Sequence, residues 1–343
     1  MLRDGRILGR KSKCFTLQWH LTNDCELHCR HCYDRTDRTA LKFDDAYRIL
    51  QSHISFCRGR KLAGHVCLTG GNPILYPYFW ELYQTIGNED LGVSFLGNPV
   101  PQSIIARIVQ IRKPIYYQVS LEGLKEHNDE IRGPGHFQRV LDFLKILQEH
   151  GIRANVMLTL TRSNMGQVIP LGEMLKGLAD RFTFNRLAQV GEGSNLELPT
   201  RAEYVEFMKR YITASRSNSA LWFKDSLFNI VRYHFKRPAI GGCTGFGCGA
   251  AFNFIAVLPE GEAHACRKFP SFIGNALDLG IEGVYESPKA RQYRMGCRQC
   301  RFCRLRKVCG GCLAVSYGQG LDVFNERDPY CFFRERSDYL DDF

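Results

Sequence analysis

The chain contains 343 residues, of which 44% are hydrophobic and 24% are charged, and its formal net charge at pH 7 is +11. This composition excludes an intrinsically disordered chain and indicates a globular protein. No stretch approaches the ~18 apolar residues of a membrane span, the first residues lack the apolar core of a secretory signal, and no run of five basic residues marks a nucleic-acid contact. We therefore expect a cytoplasmic protein that contacts neither a membrane nor nucleic acid.

Short segments rich in β-branched and aromatic residues alternate with longer amphipathic stretches along the first half of the chain. The alternation is typical of repeated strand–helix units around a parallel sheet, and it predicts an α/β fold. The helical stretches repeat apolar residues at three- and four-residue spacing, as at Phe43, Ala46 and Leu50. The predicted strands are residues 15–21, 65–69, 92–96, 115–121, 152–161 and 181–187.

Three cysteines follow the first predicted strand in a CxxxCxxC run, namely Cys25, Cys29 and Cys32. Three thiolates leave one iron of a [4Fe-4S] cluster open, and the methionine part of S-adenosylmethionine can chelate that iron. The loop after a strand is also where barrel-like folds place their chemistry. A zinc site is the alternative for the same cysteines, and His28 and His31 are expected to pack around the bound group.

At this point the chain resembles the radical S-adenosylmethionine superfamily, and the resemblance extends from Phe15 onward. It implies a partial (β/α)6 TIM-like barrel over residues 15–193, after an N-terminal segment of residues 1–14. It also implies that S-adenosylmethionine is cleaved reductively to a 5′-deoxyadenosyl radical, so that no side chain serves as a catalytic acid or base.

Several residues at the ends of predicted strands match cofactor-binding positions of that superfamily. Thr69-Gly70-Gly71-Asn72-Pro73 resembles its GGE motif, whose backbone binds the amino group of the cofactor, but an asparagine amide replaces the carboxylate. Ser120 and Glu122 are implied to bind the ribose, and Arg132 to neutralise the cofactor carboxylate; turn and capping roles are the alternatives. The complete set implied by the resemblance is Gly70, Gly71, Asn72, Asn98, Ser120, Glu122 and Arg132.

The regular alternation stops near Gly191, and residues 194–240 are predicted to form a helical linker. Residues 241–343 follow as a small Cys-rich C-terminal domain, because nine of the fifteen cysteines of the chain lie between Cys243 and Cys331. In a reducing compartment, clustered cysteines are more often metal ligands than disulfides. We therefore expect metal sites to organise this domain.

The C-terminal cysteines resemble the SPASM domain of peptide-maturing and sulfatase-maturing radical enzymes, although only Gly310 and Gly311 separate Cys309 from Cys312 where that domain has three residues. The resemblance implies two auxiliary clusters and hence three [4Fe-4S] clusters in all. The implied ligands are Cys243, Cys248, Cys266 and Cys312 for the first auxiliary cluster, and Cys300, Cys303, Cys309 and Cys331 for the second. A four-cysteine zinc ribbon is the alternative, and Cys297 is interpreted as a spare thiol that offers a second register.

Phrases such as Leu68-Thr-Gly-Gly-Asn-Pro73 and Cys248-Gly-Ala-Ala-Phe-Asn-Phe254 resemble selenobiotic, or thio(seleno)oxazole, maturases. The implied function is oxidative modification of a ribosomally made precursor peptide at a Cys- or Sec-containing site. The alternatives are a thioether-forming or carbon–carbon cross-linking maturase, a sulfatase-type activating enzyme and, from another class, a non-catalytic zinc protein that binds nucleic acid. The expected partners are the precursor peptide, a reductant such as flavodoxin or ferredoxin, and a separate leader-binding protein, since the N-terminal segment is short.

Overall fold

The computed structural model describes residues 12–333, so most of the predicted N-terminal segment and the last ten residues of the predicted C-terminal domain lie outside the described residues. Within residues 12–333 the chain forms nine strands and eleven α-helices. The strands are β1 (Cys14–His20), β2 (Ala63–Thr69), β3 (Gly92–Leu96), β4 (Tyr117–Ser120), β5 (Ala154–Leu160), β6 (Arg181–Arg186), β7 (Phe254–Val257), β8 (Glu262–His264) and β9 (Phe272–Asn275).

The helices lie between and after these strands, and none of those in residues 12–333 is long and apolar enough to cross a membrane. They are α1 (Phe43–Gly59), α2 (Phe79–Gly87), α3 (Gln102–Ile111), α4 (Lys125–Arg132), α5 (His136–Glu149), α6 (Val168–Met174), α7 (Arg201–Ser215), α8 (Phe228–His234), α9 (Ala276–Glu286), α10 (Pro288–Met295) and α11 (Leu313–Gly318).

Strands β1 to β6 form a parallel sheet in consecutive order, which confirms the α/β prediction. Each of the six lies within two residues of its predicted bounds. The strands are rich in buried apolar side chains such as Leu17, Val66 and Phe95, which are all at most 1% exposed. Because strands covered on both faces read as nearly continuous apolar runs, their positions were visible in the sequence.

The sheet continues beyond the six predicted strands into the cysteine-rich part of the chain. Strand β7 pairs in parallel with β1, placing Phe254 opposite Thr16, and β8 and β9 follow in antiparallel order. No strand was predicted in this part of the chain. The strands were missed because they are only three or four residues long and are surrounded by cysteine and glycine.

The predicted linker is helical in part and packs closely on the sheet. Helix α7 begins with a capping box in which Thr200 accepts a hydrogen bond from the Glu203 backbone N–H and the Glu203 carboxylate accepts one from the Thr200 N–H. Its buried Phe207 and Tyr211 contact Phe184 of β6 with ring centroids 5.2 and 5.3 Å away. The linker therefore shares the apolar core of the sheet.

Candidate radical SAM site

A cavity of about 360 Å³ opens at the carboxyl ends of the parallel strands. Cys25, Cys29 and Cys32, which follow β1, all line this cavity. Parallel strands bring their following loops to the same edge of a sheet, so the three thiols meet residues from the ends of β2 to β6 there. The predicted site is therefore assembled in one place.

The two glycines after β2 allow its loop to press against the loop after β1. Gly71 N–H donates to the Thr22 carbonyl at 2.8 Å, and a Cβ on Gly71 would collide with the Asp24 carbonyl oxygen. Gly70 has a φ of +138°, which favours glycine, and a Cβ there would collide with the Thr22 carbonyl oxygen. Close backbone contact thus explains both glycines, and both line the cavity.

Two of the three thiols accept hydrogen bonds that stabilise a negative sulfur. Asn98 Nδ2 lies 3.4 Å from Cys25 Sγ, and Arg132 Nη1 lies 3.7 Å from Cys29 Sγ. Burial raises the pKa of both thiols above the ordinary value, although these two donors oppose the rise. Thiols of this kind become thiolates when a metal binds them, so the donor set fits an iron–sulfur cluster.

Glu122 is 2% exposed and organises a buried polar network behind the cavity wall. Its Oε1 accepts hydrogen bonds from Arg132 at 2.6 and 2.9 Å and lies 3.2 Å from His31 Nε2, and its Oε2 accepts one from the Thr159 N–H at 2.7 Å. Burial alone would raise the pKa of this carboxyl, but His31 and Arg132 lower it well below its ordinary range. Both oxygens are engaged, and the carboxylate holds Arg132 against Cys29.

The structure divides the predicted cofactor-binding residues into two groups. Those that line the cavity are Gly70, Gly71, Asn98, Ser120 and Arg132. Asn72 and Glu122 do not line it, and both are buried with their side chains bonded to neighbours. Direct cofactor contact by these two side chains stays a prediction.

Arg267 and Lys268, which were not predicted from the sequence, are among the basic residues that line the cavity. Arg267 donates to Thr69 Oγ1 at 2.8 Å and its guanidinium lies 5.6 Å from the Tyr33 ring centroid. Both residues directly follow Cys266, so the C-terminal cysteine region reaches the same cavity. The only sequence signal was this position beside a cysteine.

A buried ion-pair network links the end of β6 to the C-terminal cysteines. Arg186, which lines the cavity, donates to Asp328 at 2.9 and 2.7 Å and to Asp225 at 2.6 Å. Asp328 Oδ2 also accepts a hydrogen bond from the Cys312 N–H at 2.7 Å. The strand, the linker and a predicted cluster ligand are thereby held together.

The C-terminal cysteines converge in two groups. Burial raises the pKa of Cys248, and nearby Cys312, Cys266 and Cys243 raise it further, so these four thiols lie close together. A separate small cavity is lined by Cys300, Cys303, Cys309 and Cys331.

Cys297 lies directly beside the second group. The neighbouring Cys297 side chain raises the pKa of the Cys300 thiol, and burial raises it further. Cys297 Sγ also lies 3.3 Å from the Asn325 carbonyl oxygen. Within residues 12–333, no group of three or more His, Cys, Asp or Glu side chains is arranged so that it could bind a single metal ion.

Residues 19–175 match the family model described as the radical SAM superfamily. The chain carries a radical SAM domain. The cofactors of that superfamily are a [4Fe-4S] cluster and S-adenosylmethionine, for which the cavity and its three cysteines are suited.

Similar proteins extend the match beyond the radical SAM domain. The mycofactocin maturase MftC of Mycobacterium ulcerans (strain Agy99) is 29% identical over 338 residues, which are 92% of this chain and 87% of that protein. The antilisterial bacteriocin subtilosin biosynthesis protein AlbA of Bacillus subtilis (strain 168) is 24% identical over 314 residues, covering 86% of this chain and 66% of that protein. The crystal structure of Streptococcus suis SuiB bound to its precursor peptide SuiA shares the fold, with a TM-score of 0.70 at 20% identity over 94% of this chain and 76% of SuiB.

Proposed function

We propose that this radical SAM enzyme is a peptide maturase that oxidatively modifies a ribosomally made precursor peptide at a Cys- or Sec-containing site. The observation that carries the proposal is the cavity at the carboxyl ends of the parallel strands, which is lined both by the cysteines after β1 and by the residues after Cys266. The similarity to MftC supports it, because that similarity includes the C-terminal cysteine region as well as the radical SAM domain. Other peptide cross-links and sulfatase-type activation are alternative outcomes of the test below.

Cys25, Cys29 and Cys32 are proposed to hold the [4Fe-4S] cluster of the radical SAM domain. When bound, this cluster and S-adenosylmethionine supply a 5′-deoxyadenosyl radical to the cavity. The role of the chain is to position these groups: Asn98 and Arg132 stabilise the two thiolates to which they donate, and Glu122 fixes Arg132.

Two further [4Fe-4S] clusters are proposed in a SPASM domain of residues 241–343, joined to the barrel of residues 15–193 by residues 194–240. The proposed ligands are Cys243, Cys248, Cys266 and Cys312 for the first, and Cys300, Cys303, Cys309 and Cys331 for the second. Mutual proximity of the thiols within each group supports these sets. With three clusters, reconstituted protein should contain about 12 iron and about 12 sulfide per chain.

For the cofactor, we propose that Gly70, Gly71, Asn98, Ser120 and Arg132 contact S-adenosylmethionine directly, because all five line the cavity. Cofactor contact by Asn72 and Glu122 is proposed from the resemblance alone, since neither residue lines the cavity. A low-potential protein such as flavodoxin or ferredoxin is the proposed reductant, and a separate protein is proposed to bind the leader peptide. The fifteen free cysteines support a reducing compartment, and we propose the cytoplasm.

The function can be tested with short Cys-bearing peptides encoded beside the gene for this chain. Anaerobically reconstituted enzyme is incubated with each peptide, S-adenosylmethionine and dithionite, and the products are analysed by mass spectrometry. We expect 5′-deoxyadenosine together with a peptide that has lost two hydrogen atoms for each bond formed. Formation of 5′-deoxyadenosine without a change in any peptide would refute the peptide proposal and leave the radical SAM assignment intact.

A matched pair of variants separates the proposed cluster ligands from other cysteines. The triple variant Cys25→Ala, Cys29→Ala, Cys32→Ala should form no 5′-deoxyadenosine, because no thiolate remains to hold the cluster. Cys14→Ala, at the start of β1 and in neither C-terminal group, should retain it. Cofactor cleavage by the triple variant would contradict the ligand assignment.

A further inference from the structure

A groove of about 720 Å³ opens on the surface beside the small cavity of the second cysteine group. One side of the groove is formed by the end of α8 and the residues that follow it, including Arg237, and the other side by the turn that carries Phe302 and Arg304. None of these three side chains is a proposed ligand of a cluster or of S-adenosylmethionine. The groove is therefore a surface feature that the proposed chemistry does not explain.

The groove is positively charged, because its lining contains cations and no carboxylate. Lys236, Arg237 and Arg304 line it and are exposed, and no Asp or Glu is among the lining residues. Within residues 12–333, none of the three forms an ion pair with a carboxylate, and Arg304 donates only to the Tyr233 hydroxyl, at 3.0 Å. A concave surface of one sign attracts a partner of the opposite sign.

The sequence around the groove extends this charge. The chain contains no Asp or Glu in residues 226–259 or in residues 287–321, the two stretches that contribute these three cations. No nearby carboxylate of these stretches can neutralise the groove, so its charge is available to an acidic partner from outside the chain.

An exposed aromatic side chain stands among these cations. Phe302 is 84% exposed, more than any other large hydrophobic side chain in residues 12–333, and the Arg301 guanidinium lies 5.6 Å from its ring centroid. Tyr233 is 41% exposed, with its ring centroid 5.4 Å from that of Phe333. Aromatic and arginine side chains are enriched at the centres of protein–protein interfaces. The groove therefore has the composition of a surface that binds another protein.

The position of the groove indicates which protein this is. Ile230, Cys303 and Phe333 line both the groove and the small cavity of the second cysteine group, so these residues form a shared wall. Cys303 is a proposed ligand of the second auxiliary cluster. A partner bound in the groove would have only this wall between itself and the cluster, which suits a carrier of electrons. Basic and aromatic side chains also suit single-stranded nucleic acid, but nucleic acid would gain nothing from a cluster nearby.

We propose that the groove binds an acidic ferredoxin, which then exchanges one electron with the second auxiliary cluster. In the reducing direction, the [2Fe-2S] centre of the ferredoxin loses one electron and the [4Fe-4S] cluster gains it, and no bond is formed or broken. This inference rests on the proposed second auxiliary cluster and gives the proposed reductant a docking surface. It is independent of the peptide substrate.

The first test measures the dissociation constant of oxidised [2Fe-2S] ferredoxin and reconstituted enzyme by isothermal titration calorimetry. Reversing two charges of the groove in Arg237→Glu, Arg304→Glu should weaken binding at least about 10-fold, and added salt should weaken binding to the wild type. Phe302→Ala should also weaken binding about 10-fold, because an exposed anchor is lost. Arg58→Glu, Arg153→Glu changes the net charge equally at exposed positions away from the groove and should leave the constant unchanged.

The second test measures electron transfer in the background of Cys25→Ala, Cys29→Ala, Cys32→Ala, in which only auxiliary clusters can accept an electron. Reduced ferredoxin is mixed with this protein in a stopped-flow spectrometer, and bleaching of the [4Fe-4S] absorption is followed. Adding Arg237→Glu and Arg304→Glu should slow bleaching by ferredoxin at least about 10-fold and leave bleaching by dithionite unchanged, because dithionite needs no docking surface.

The proposal is overturned if ferredoxin does not bind the wild type, or if the groove variants bind it as tightly as the wild type does. It is also overturned if a single-stranded oligonucleotide binds the wild type more tightly than ferredoxin and loses affinity in the same variants. Ferredoxin binding that the groove variants weaken, in a protein with iron for one cluster only, would support the docking surface and refute the proposed auxiliary clusters. The two failures are therefore distinguishable.

Discussion

The parallel sheet and the last cysteine-rich segment, residues 296–333, are organised in opposite ways. In the sheet, apolar side chains such as Val119, Val156 and Phe182 are at most 1% exposed and form a continuous core. In residues 296–333, the regular structure consists of α11 and one short 3-10 turn, and burial instead raises the pKa of thiols such as Cys309, to about 12. Apolar burial can stabilise the first region by itself, whereas the second depends on what its cysteines bind.

The largest effect should come from removing iron, because iron removal should disorder one region and leave the other folded. Structural metal sites contribute free energy on the order of 10 kcal/mol in small metal-organised folds, so the metal-free protein should lose order in residues 296–333 and retain it in β1 to β6. Hydrogen exchange of metal-free and reconstituted protein, followed peptide by peptide, measures this. Equal protection of residues 296–333 in both forms would show that the two regions do not differ in this way.

The ion-pair network between the regions should give the next largest effect. Arg186→Met leaves the buried carboxylates of Asp225 and Asp328 without their cation, and we expect a loss of about 3–5 kcal/mol in the free energy of unfolding. Urea denaturation of the reconstituted protein measures it. Arg48→Met removes an exposed arginine paired with Asp45 and should leave the urea midpoint unchanged; similar midpoints for the two variants would exclude a structural role for the network.

Acid should weaken the sheet region through a buried histidine. His53 on α1 is 0% exposed, and burial, assisted by His65, lowers the pKa of its imidazole to about 4. The unfolded chain, with an ordinary histidine pKa near 6.5, binds this proton first, so stability falls as the pH drops below 6.5 toward the folded-state pKa.

Between pH 6.5 and pH 5 this histidine should cost about 2 kcal/mol of unfolding free energy. Denaturation midpoints across that range measure the slope, which should be flatter in His53→Gln. An unchanged slope in the variant would place the acid sensitivity elsewhere.

The smallest effect concerns the helix that joins the two regions. Thr200→Ala removes the acceptor for the Glu203 N–H at the start of α7 and should cost about 1 kcal/mol. Thr200→Ser keeps the acceptor and should unfold near the wild-type midpoint. If the alanine and serine variants unfold together, the cap does not contribute to stability.

Prediction from sequence succeeded where the signal was local. The six parallel strands were found because their apolar runs are compact, and Cys25, Cys29 and Cys32 because their spacing is short. Strand β7, Phe254–Val257, was missed although all four of its residues are buried, because four apolar residues do not distinguish a strand from other buried segments.

The sequence alone determined the six strands of the parallel sheet and the three thiols that follow the first of them. Only the tertiary structure decided which distant residues meet: Asn72 donates to Glu26 across 46 positions, Arg186 donates to Asp328 across 142, and Lys268 lines the same cavity as the cysteines after β1. The physical reason is range, since periodicity and turn chemistry act over a few residues, whereas a buried charge finds its partner only when the chain has folded.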